Sequence, residues 1–502
     1  MLNLHRPVLF VSLFAALAIG LLACADGGSP SAEHQVVCSP GEAGSASLDV
    51  AAVASDVSRD VGQPIGSAQG TADGVVFVFD ETHVSRPGQI EIAIMLLRLH
   101  DQYGLRNIAL EGARTRQGTL DAEWFHSLRE RTRQDVAIEV LKEGEISGAE
   151  FMALAFPDIG VHGIEDSRYE VELNFDLPGS PVTYLFAIAV VSMTETELGT
   201  VNRLLDEERD AEAIEFAVGT DPWTEERFER FTSDEIISVE ELVALHDEIE
   251  QRSDDVGADV GPYREGFENS RQFYEAASKR STTMVDNTLL LLGECPDTPM
   301  ALNIGAAHTD LVLSLLDEHA VSYAGLRQLS LVDSSDAGEL TDEAYERKLE
   351  GLSVDGEGDL GRILEGEKKP PTCIDRLSCQ AKLDAYAAAT MMATGAAAGK
   401  PPPFASQDEL ALLQHISLDL DSVELDGDEV IFSFDAAGDR IWVRTTVFRP
   451  EQDATLEDRL KRALEESKED ADRSVVKRTS PNTVALFSTD EDFIRRQRLQ
   501  DV

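Results

Sequence analysis

The sequence predicts an α/β protein with a mostly parallel central sheet flanked by helices, followed by a small α+β domain at the C-terminus. From Gly74 to about Val332, short apolar runs alternate with helical patterns, which is typical of α/β folds. Several of these runs are apolar throughout, as expected of parallel strands that are buried on both faces. Beyond about Gln407, three strand-like segments surround one helical segment, and this arrangement predicts the smaller domain.

The chain has 502 residues, enough for more than one domain. Residues 24–72 are rich in Gly, Ser, Ala and Asp, which predicts a flexible tether. The α/β domain is predicted over residues 73–333, and an acidic linker region rich in Ala, Pro and Gly over residues 334–405. The small α+β domain is predicted over residues 406–502.

The amino terminus has the features of a secretory signal. Arg6 supplies a positive charge, and Val8–Leu22 is an apolar run that is followed by the small residue Ala23. This run is shorter than the roughly 20 residues that a membrane-spanning helix needs. Leu21–Cys24 resembles a bacterial lipobox, which implies that residues 1–23 are removed and that Cys24 is acylated. We therefore expect a protein of the bacterial cell envelope, held at a membrane or at the cell surface by the lipid on Cys24.

Five cysteines are present, and four remain once Cys24 carries a lipid. An even number in an oxidising compartment favours disulfide bonds. Cys373 and Cys379 bracket a short loop and could pair, which would leave Cys38 to pair with Cys295. Other pairings and free thiols stay open. The sequence has no Cys-x-x-Cys pair, so its cysteines do not predict a metal site.

Polar side chains follow four predicted strands of the α/β domain, at the point where each strand ends. Ligands of open α/β sheets bind outside the carboxyl ends of the strands, so we expect these side chains to face one crevice. Glu81 and His83 are two residues apart and point to the same side if the chain is still extended there. The five residues are Glu81, His83, Glu111, Glu165 and His308.

Two chemistries suit this combination of side chains. Two histidines with two or three carboxylates can bind a divalent cation, such as manganese, cobalt or zinc, that activates a water molecule. They also suit a metal-free acid–base pair in which a carboxylate holds the tautomer of an imidazole. In both alternatives Glu81, His83 and His308 form the core, and Glu111 and Glu165 are further ligands or orient the imidazoles.

Some of these residues have simpler explanations. Acidic residues after strands are common as helix caps, so Glu165 alone predicts little. A buried charged pair without a role is costly, which favours a function for Glu81 and His83. His162 lies within an apolar strand and is expected to be a core residue. His246 lies in a charged helical stretch and is expected at the surface.

In their order and spacing, these segments resemble a superfamily that groups the ChaN-like haem-uptake lipoproteins, the TraB and TIKI proteins, and the erythromycin esterases. The first motif of the family, Gly-Glu-x-His after an apolar strand, is similar to Asp80–His83. A strand that ends in Glu-Gly is matched at Glu111, and a late Gly-x-x-His is matched by Gly305–His308. The resemblance extends from about Gly74 to Val332, roughly half of the chain.

The resemblance implies further site residues. Relatives carry an Arg followed by Met and Asn on the helix before the last motif, which resembles the pattern of Arg280, Met284 and Asn287. Arg280 is implied to neutralise a carboxylate or to hold an anionic group of the substrate. The sequence departs from the family at Asp80, where relatives usually have Gly. This side chain narrows the approach of a ligand to the backbone and adds a carboxylate that could join a metal.

The branches of the superfamily imply different functions. TIKI proteins look like metal-dependent peptidases, erythromycin esterases are hydrolases without an obligate metal, and ChaN-like members are implicated in haem binding. Our leading hypothesis is a metal-assisted hydrolase that cleaves a peptide or ester bond in a peptide or small-molecule substrate. The second is a non-catalytic lipoprotein that binds haem or another ligand, with His83 or His308 as axial ligand and a wall near Tyr184–Phe186. The third is an envelope scaffold that has lost its activity.

The charge of the chain excludes one class of partner and predicts one property. The formal net charge is −51, so no nucleic-acid partner is expected, because phosphate binding requires a basic surface. An acidic surface that is poor in lysine is consistent with life in salty water, where ions screen the repulsion between like charges.

We expect the melting temperature of the full-length protein to rise as salt is added, because salt screens the repulsion within its acidic surface. The measurement is a thermal melt at increasing concentrations of sodium chloride. A melting temperature that does not rise with salt contradicts the prediction.

Overall fold

The computed structural model describes residues 36–38, 48–81, 85–114, 120, 122–126, 130–142, 146–166, 179–207, 209–232, 237–330, 417–426, 429–436, 439–446, 454–472, 485–488 and 491–496. These residues divide into two compact units, which we name the sheet unit and the helical unit. The described residues of the sheet unit lie within 22–165, 286–305 and 316–502, and those of the helical unit within 166–285 and 306–315.

A six-stranded sheet forms the centre of the sheet unit. Its strands are β1 (Gly62–Ala68), β2 (Val75–Glu81), β3 (Asn107–Arg114), β4 (Gly160–Glu165), β5 (Met300–Gly305) and β6 (Ser322–Gln328). The order across the sheet is β1-β6-β2-β5-β3-β4. The edge strand β1 is antiparallel to β6, and the other neighbours are parallel.

The strand β2 is buried along its whole length and lies between β5 and β6. Its phenylalanines Phe77 and Phe79 belong to the main hydrophobic core of the sheet unit. Alternate side chains of a strand point to opposite faces of the sheet. Glu81 is therefore expected on the same face as Phe79, and Asp80 on the other face.

Helices pack on the sheet. They are α1 (Val50–Val57), α2 (Arg86–Tyr103), α3 (Glu123–His126), α4 (Glu130–Lys142) and α5 (Gly148–Ala155). The helix α2 packs against α4 and α5. It begins after Ser85, whose hydroxyl accepts a hydrogen bond from the main chain of Gly88, and ends at Gly104 in the left-handed conformation (φ 76°). The predicted mostly parallel sheet flanked by helices is confirmed.

Residues 48–68 lie within the predicted tether, and for this stretch the prediction is wrong, because they form α1 and β1. The edge strand β1 contains Gly62, Pro64 and Gly66, and its register against β6 shifts between Pro64 and Gly66. Pro and Gly are depleted in strands and are tolerated mainly at edges and bulges. The sequence of β1 therefore lacks the usual signal of a strand.

A short segment ahead of α1 is fixed to the sheet unit. Cys38 forms a disulfide bond with Cys295, and the two Cα atoms are 5.4 Å apart. The main chain of Val37 donates to Oδ1 of Asn107 (2.9 Å) and accepts from its Nδ2 (2.8 Å). This bridge is one of the predicted pairings. The other predicted pair, residues 373 and 379, lies outside the described residues.

The helical unit consists of helices packed around their own core. Its helices are α6 (Pro181–Ser192), α7 (Glu195–Asp206), α8 (Asp210–Val218), α9 (Pro222–Thr232), α10 (Val239–Val256), α11 (Arg264–Glu294) and α12 (Thr309–Glu318). The last residues of α11 and of α12 are assigned to the sheet unit. The helix α6 packs against α8, α9 and α10. None of the helices in the described ranges combines the length and the apolar character needed to cross a membrane.

The core of the helical unit contains His246, which the sequence predicts at the surface. This prediction is wrong, because His246 is fully buried. Its Nδ1 lies 2.7 Å from the carbonyl oxygen of Leu242, and its Nε2 lies 3.0 Å from the hydroxyl of Ser270. Burial lowers the pKa of His246 to about 4, so the imidazole is neutral at pH 7.

The C-terminal segment forms a second, antiparallel sheet of order β10-β9-β8-β7. Its elements are β7 (Ser417–Asp426), β8 (Glu429–Ala436), β9 (Asp439–Thr446), α13 (Leu456–Asp472), β10 (Ala485–Ser488) and α14 (Glu491–Arg496). The predicted small α+β arrangement is confirmed, and β7 is a strand that the sequence analysis did not predict.

The helix α13 packs against α2 and α4, and its Leu460 is fully buried in the main core of the sheet unit. Arg98 of α2 is 1% exposed and connects several elements at this point. It donates to Glu457 of α13 (2.7 Å), to Asp60 (2.8 Å) and to the carbonyl oxygen of Val57 at the end of α1 (2.8 Å). A guanidinium has five N–H donors, and their acceptors here come from two distant parts of the chain, residues 57–60 and Glu457.

We expect Arg98→Met to lower the free energy of unfolding by about 1 to 3 kcal/mol, because it leaves the buried carbonyl oxygen of Val57 without this donor and removes the ion pairs with the partly exposed Asp60 and Glu457. The measurement is denaturant unfolding of the full-length protein. The control is Arg59→Met, because the side chain of Arg59 is 67% exposed and forms an ion pair with Asp56 at 3.6 Å. This control is expected to change the free energy by less than about 0.5 kcal/mol. Equal effects of the two substitutions contradict the prediction.

Candidate functional site

Glu81 ends β2 and is 2% exposed. Its Oε2 accepts hydrogen bonds from Nε2 of Gln89 (3.1 Å) and from Nδ2 of Asn303 (2.7 Å). The orientation of the Gln89 amide is set by its other end, since Oε1 of Gln89 accepts from the main chain of Gly148 (2.9 Å). Burying a carboxylate is costly unless it is hydrogen-bonded, and two amide groups meet that need here. Both of these donors are neutral amide groups.

Asn303 also offers an acceptor beside Glu81. It is fully buried, and its Oδ1 has no hydrogen-bond partner among the residues that the structure describes. Buried polar groups are nearly always hydrogen-bonded, to protein, water or ligand. An acceptor of this kind next to a buried carboxylate is suited to a bound water molecule or to a donor group of a substrate.

Asp80, which stands where the superfamily that the sequence resembles usually has Gly, forms an ion pair. It is fully buried, and its Oδ2 accepts from Nε of Arg327 in β6 (2.7 Å). Asp80 and Arg327 are opposite each other in the register of β2 and β6. Successive side chains of a strand point to opposite faces, so this ion pair is separated from Glu81 by the sheet itself.

Glu111 and Glu165 lie at the same edge of the sheet as Glu81. Oε2 of Glu111 accepts from the main chain of Gly305 at the end of β5 (2.5 Å). Glu165 ends β4 and is 3% exposed, and the carbonyl oxygen of the preceding Ile164 accepts from Nδ2 of Asn287 (2.8 Å). Because β5 lies between β2 and β3, the carboxyl ends of β2 and β3 are roughly 10 Å apart, which is twice the spacing of neighbouring strands.

The metal prediction concerns Glu81, His83 and His308. His83 lies outside the described residues. Within the described ranges, no three His, Cys, Asp or Glu side chains are grouped so that they could hold a metal ion.

His308 and Arg280 belong to the helical unit. His308 ends a short 3₁₀ turn, Ala306–His308, and is 6% exposed. Its Nδ1 lies 2.8 Å from the hydroxyl of Ser281, which is fully buried in α11. Arg280, the residue before Ser281, is 7% exposed. Glu81, Glu111 and Glu165 therefore belong to the sheet unit, whereas His308 and Arg280 belong to the helical unit.

The helical unit contains a carboxylate near His308 that sequence analysis missed. Glu240, in the first turn of α10, has an Oε1 that is buried and lacks a hydrogen-bond partner among the described residues. Burial raises the pKa of this carboxyl, and the nearby His308 acts in the opposite direction. Glu240 follows no apolar strand and belongs to no motif, so the sequence offered no signal for it.

The side chains predicted to form a wall for haem lie in the core of the helical unit. Tyr184, Leu185 and Phe186 of α6 are all buried there. The ring of Tyr184 stacks on that of Phe267, with 3.8 Å between the ring centroids. Their contacts within this unit account for their apolar character.

No protein-family model and no curated protein matches this sequence. Among solved structures, a crystal structure of a protein from Bacillus cereus is similar over 55% of this chain and 74% of that chain. The two sequences are 11% identical, and the TM-score is 0.16. We draw no conclusion from a likeness of this degree, and the superfamily resemblance stays a prediction.

We expect Glu81 and Asn303 to be energetically coupled, because the amide satisfies a buried charge. In a double-mutant cycle of Glu81→Ala and Asn303→Ala, the coupling free energy is expected to be about 1.5 to 3 kcal/mol. The measurement is denaturant unfolding of the full-length protein and the three variants.

A second cycle, Asp101→Ala with Asn303→Ala, is the control. Asp101 is exposed and lies twelve residues after Gln89 in α2, about 18 Å along the helix. Substitutions this far apart are expected to be additive within about 0.5 kcal/mol. A coupling free energy for Glu81 and Asn303 no larger than that of the control contradicts the prediction.

Proposed function

We propose that this chain is a hydrolase of the bacterial cell envelope that cleaves a peptide or ester bond, with Glu81 as its central carboxylate. The observation that carries the proposal is the environment of Glu81. It is a 2% exposed acid at the carboxyl end of a parallel strand, held by two neutral amides. Ligands of open α/β sheets bind at this edge. A carboxylate oriented there is suited to take a proton from water or to bind a metal ion.

In this proposal Gln89 and Asn303 fix the direction of the carboxylate, and Oδ1 of Asn303 accepts from the attacking water or from the substrate. His83 follows two residues after Glu81 in the sequence and is the proposed second catalytic group. A divalent metal held by these two residues would supply an activated water molecule. Without a metal, His83 would act as the acid or base beside Glu81.

The other predicted residues have narrower proposed roles. Glu111 binds the main chain of Gly305, so we assign it to orienting the end of β5. Glu165 stays a candidate ligand or orienting group. His308 and Arg280 stay candidate catalytic residues, the first as metal ligand or acid–base group and the second as the partner of an anionic substrate group.

The envelope location rests on the amino-terminal sequence, with Cys24 as the proposed lipid anchor. The disulfide bond between Cys38 and Cys295 is consistent with an oxidising compartment outside the cytoplasm.

We expect Glu81→Gln to lower the rate of hydrolysis by 100-fold or more, roughly the contribution of a general base or metal-bound water. The measurement is the rate at which the full-length protein cleaves peptide and ester substrates, with manganese, cobalt or zinc added and without. The matched control is Glu91→Gln in α2. Glu91 is also fully buried, but it accepts from the main chain and hydroxyl of Ser330.

Metal content separates the two mechanisms. About one equivalent of a divalent metal in the full-length protein, absent from the Glu81→Ala/His83→Ala double variant, would favour the metal-assisted reaction. No metal in either protein, even after metal is added, would favour the metal-free acid–base pair. Substrates that are cleaved equally well by Glu81→Gln and by the unmodified protein would exclude Glu81 as the central carboxylate.

A further inference from the structure

His308 is held by a hydroxyl group that the sequence did not indicate. Nδ1 of His308 lies 2.8 Å from Oγ of Ser281, and Ser281 is fully buried. Apolar contacts bring the two elements together at this point. Ala277, one turn before Ser281, and Ala307, directly before His308, pack in one cluster with Val239 of α10. The imidazole and the hydroxyl therefore meet on elements that are already packed.

The hydroxyl of Ser281 has one proton, and the geometry decides where it points. Oγ also lies 3.1 Å from the carbonyl oxygen of Ala277, four residues earlier in α11. Donation to the carbonyl four residues back is a common bond of serine in helices. If the proton pointed to His308 instead, two oxygen atoms would face each other at 3.1 Å with no proton between them, which is repulsive. The hydroxyl therefore donates to Ala277 and accepts from His308.

We propose that Ser281 is the positioning residue of His308, and that it holds the imidazole in the tautomer with its proton on Nδ1. Nε2 then carries the lone pair and is the nitrogen that would bind a metal ion or accept a proton. Gain of a proton or a metal at Nε2 leaves the bond from Nδ1 to Ser281 intact, because Nδ1 remains the donor in each state. The proposal rests on the proposed function only for the ligand at Nε2, since the tautomer is a property of the protein alone.

The tautomer can be measured directly in the full-length protein without substrate or metal. In protein labelled with ¹⁵N-histidine, long-range ¹H–¹⁵N correlation spectra distinguish the protonated ring nitrogen from the unprotonated one. The signals of His308 are assigned by their loss in His308→Gln. At a pH where His308 is neutral, we expect the form with the proton on Nδ1 to exceed the other by about fivefold or more, the effect of one hydrogen bond. A neutral His308 with its proton on Nε2 overturns the proposal, whether or not any variant folds.

Two variants test whether Ser281 causes the excess of the Nδ1 form. Ser281→Ala removes the acceptor and is expected to abolish the excess of the Nδ1 form, whereas Ser281→Thr keeps the hydroxyl and is expected to retain it. The matched control is Ser270→Ala, because Ser270 forms the corresponding bond to His246 in the same unit. That variant should change the signals of His246 and leave those of His308 as they are. If a folded Ser281→Ala protein shows an unchanged His308 tautomer, Ser281 does not position the imidazole.

Failure of this experiment and failure of the proposed function are distinguishable. The spectra report the tautomer whether or not the protein hydrolyses any substrate. A protein without hydrolase activity but with the proton on Nδ1 would overturn the proposed function and support the role of Ser281. An active hydrolase with the proton on Nε2 would support the proposed function and overturn the role of Ser281.

Discussion

The sheet unit depends on keeping one buried carboxylate hydrogen-bonded. Glu81 ends a strand whose other buried side chains are mostly apolar, and a charge at that position is costly without donors. Its donors also serve the fold. Gln89 ties β2 to the start of α2 and, through Gly148, to the start of α5, while Asn303 ties it to β5. The contacts that stabilise the charge thus also join the sheet to two of its helices.

The elements that the sequence predicted are those that are buried along their whole length. The strand β2 was predictable because both of its faces are covered, so its residues are apolar in an unbroken run. The strand β1 was not, because an edge strand tolerates Gly62, Pro64 and Gly66. His246 was misplaced for a related reason. Its helix α10 is charged on one side, and only the tertiary structure reveals that its buried side meets Ser270.

The candidate site was predictable only in part. Strand ends pointed to Glu81, Glu111 and Glu165, because the edge of a parallel sheet collects whatever follows its strands. The groups that orient them had no such signal. Asn303 is 222 residues from Glu81 in the chain, and its position within a buried strand resembles that of any core residue. Ser281 and Glu240 likewise lie on helices and acquire a role only when α10 and α11 meet the turn before α12.

The two candidate catalytic groups are oriented by the same kind of device in different units. Glu81 is held by amides that donate, and His308 by a hydroxyl that accepts, and all of these partners are neutral. The amides fix the direction of the carboxylate, and the proposed bond to Ser281 fixes the tautomer of the imidazole. Because each orienting partner lies in the same unit as the group it holds, the geometry of the carboxylate and that of the imidazole can be tested separately.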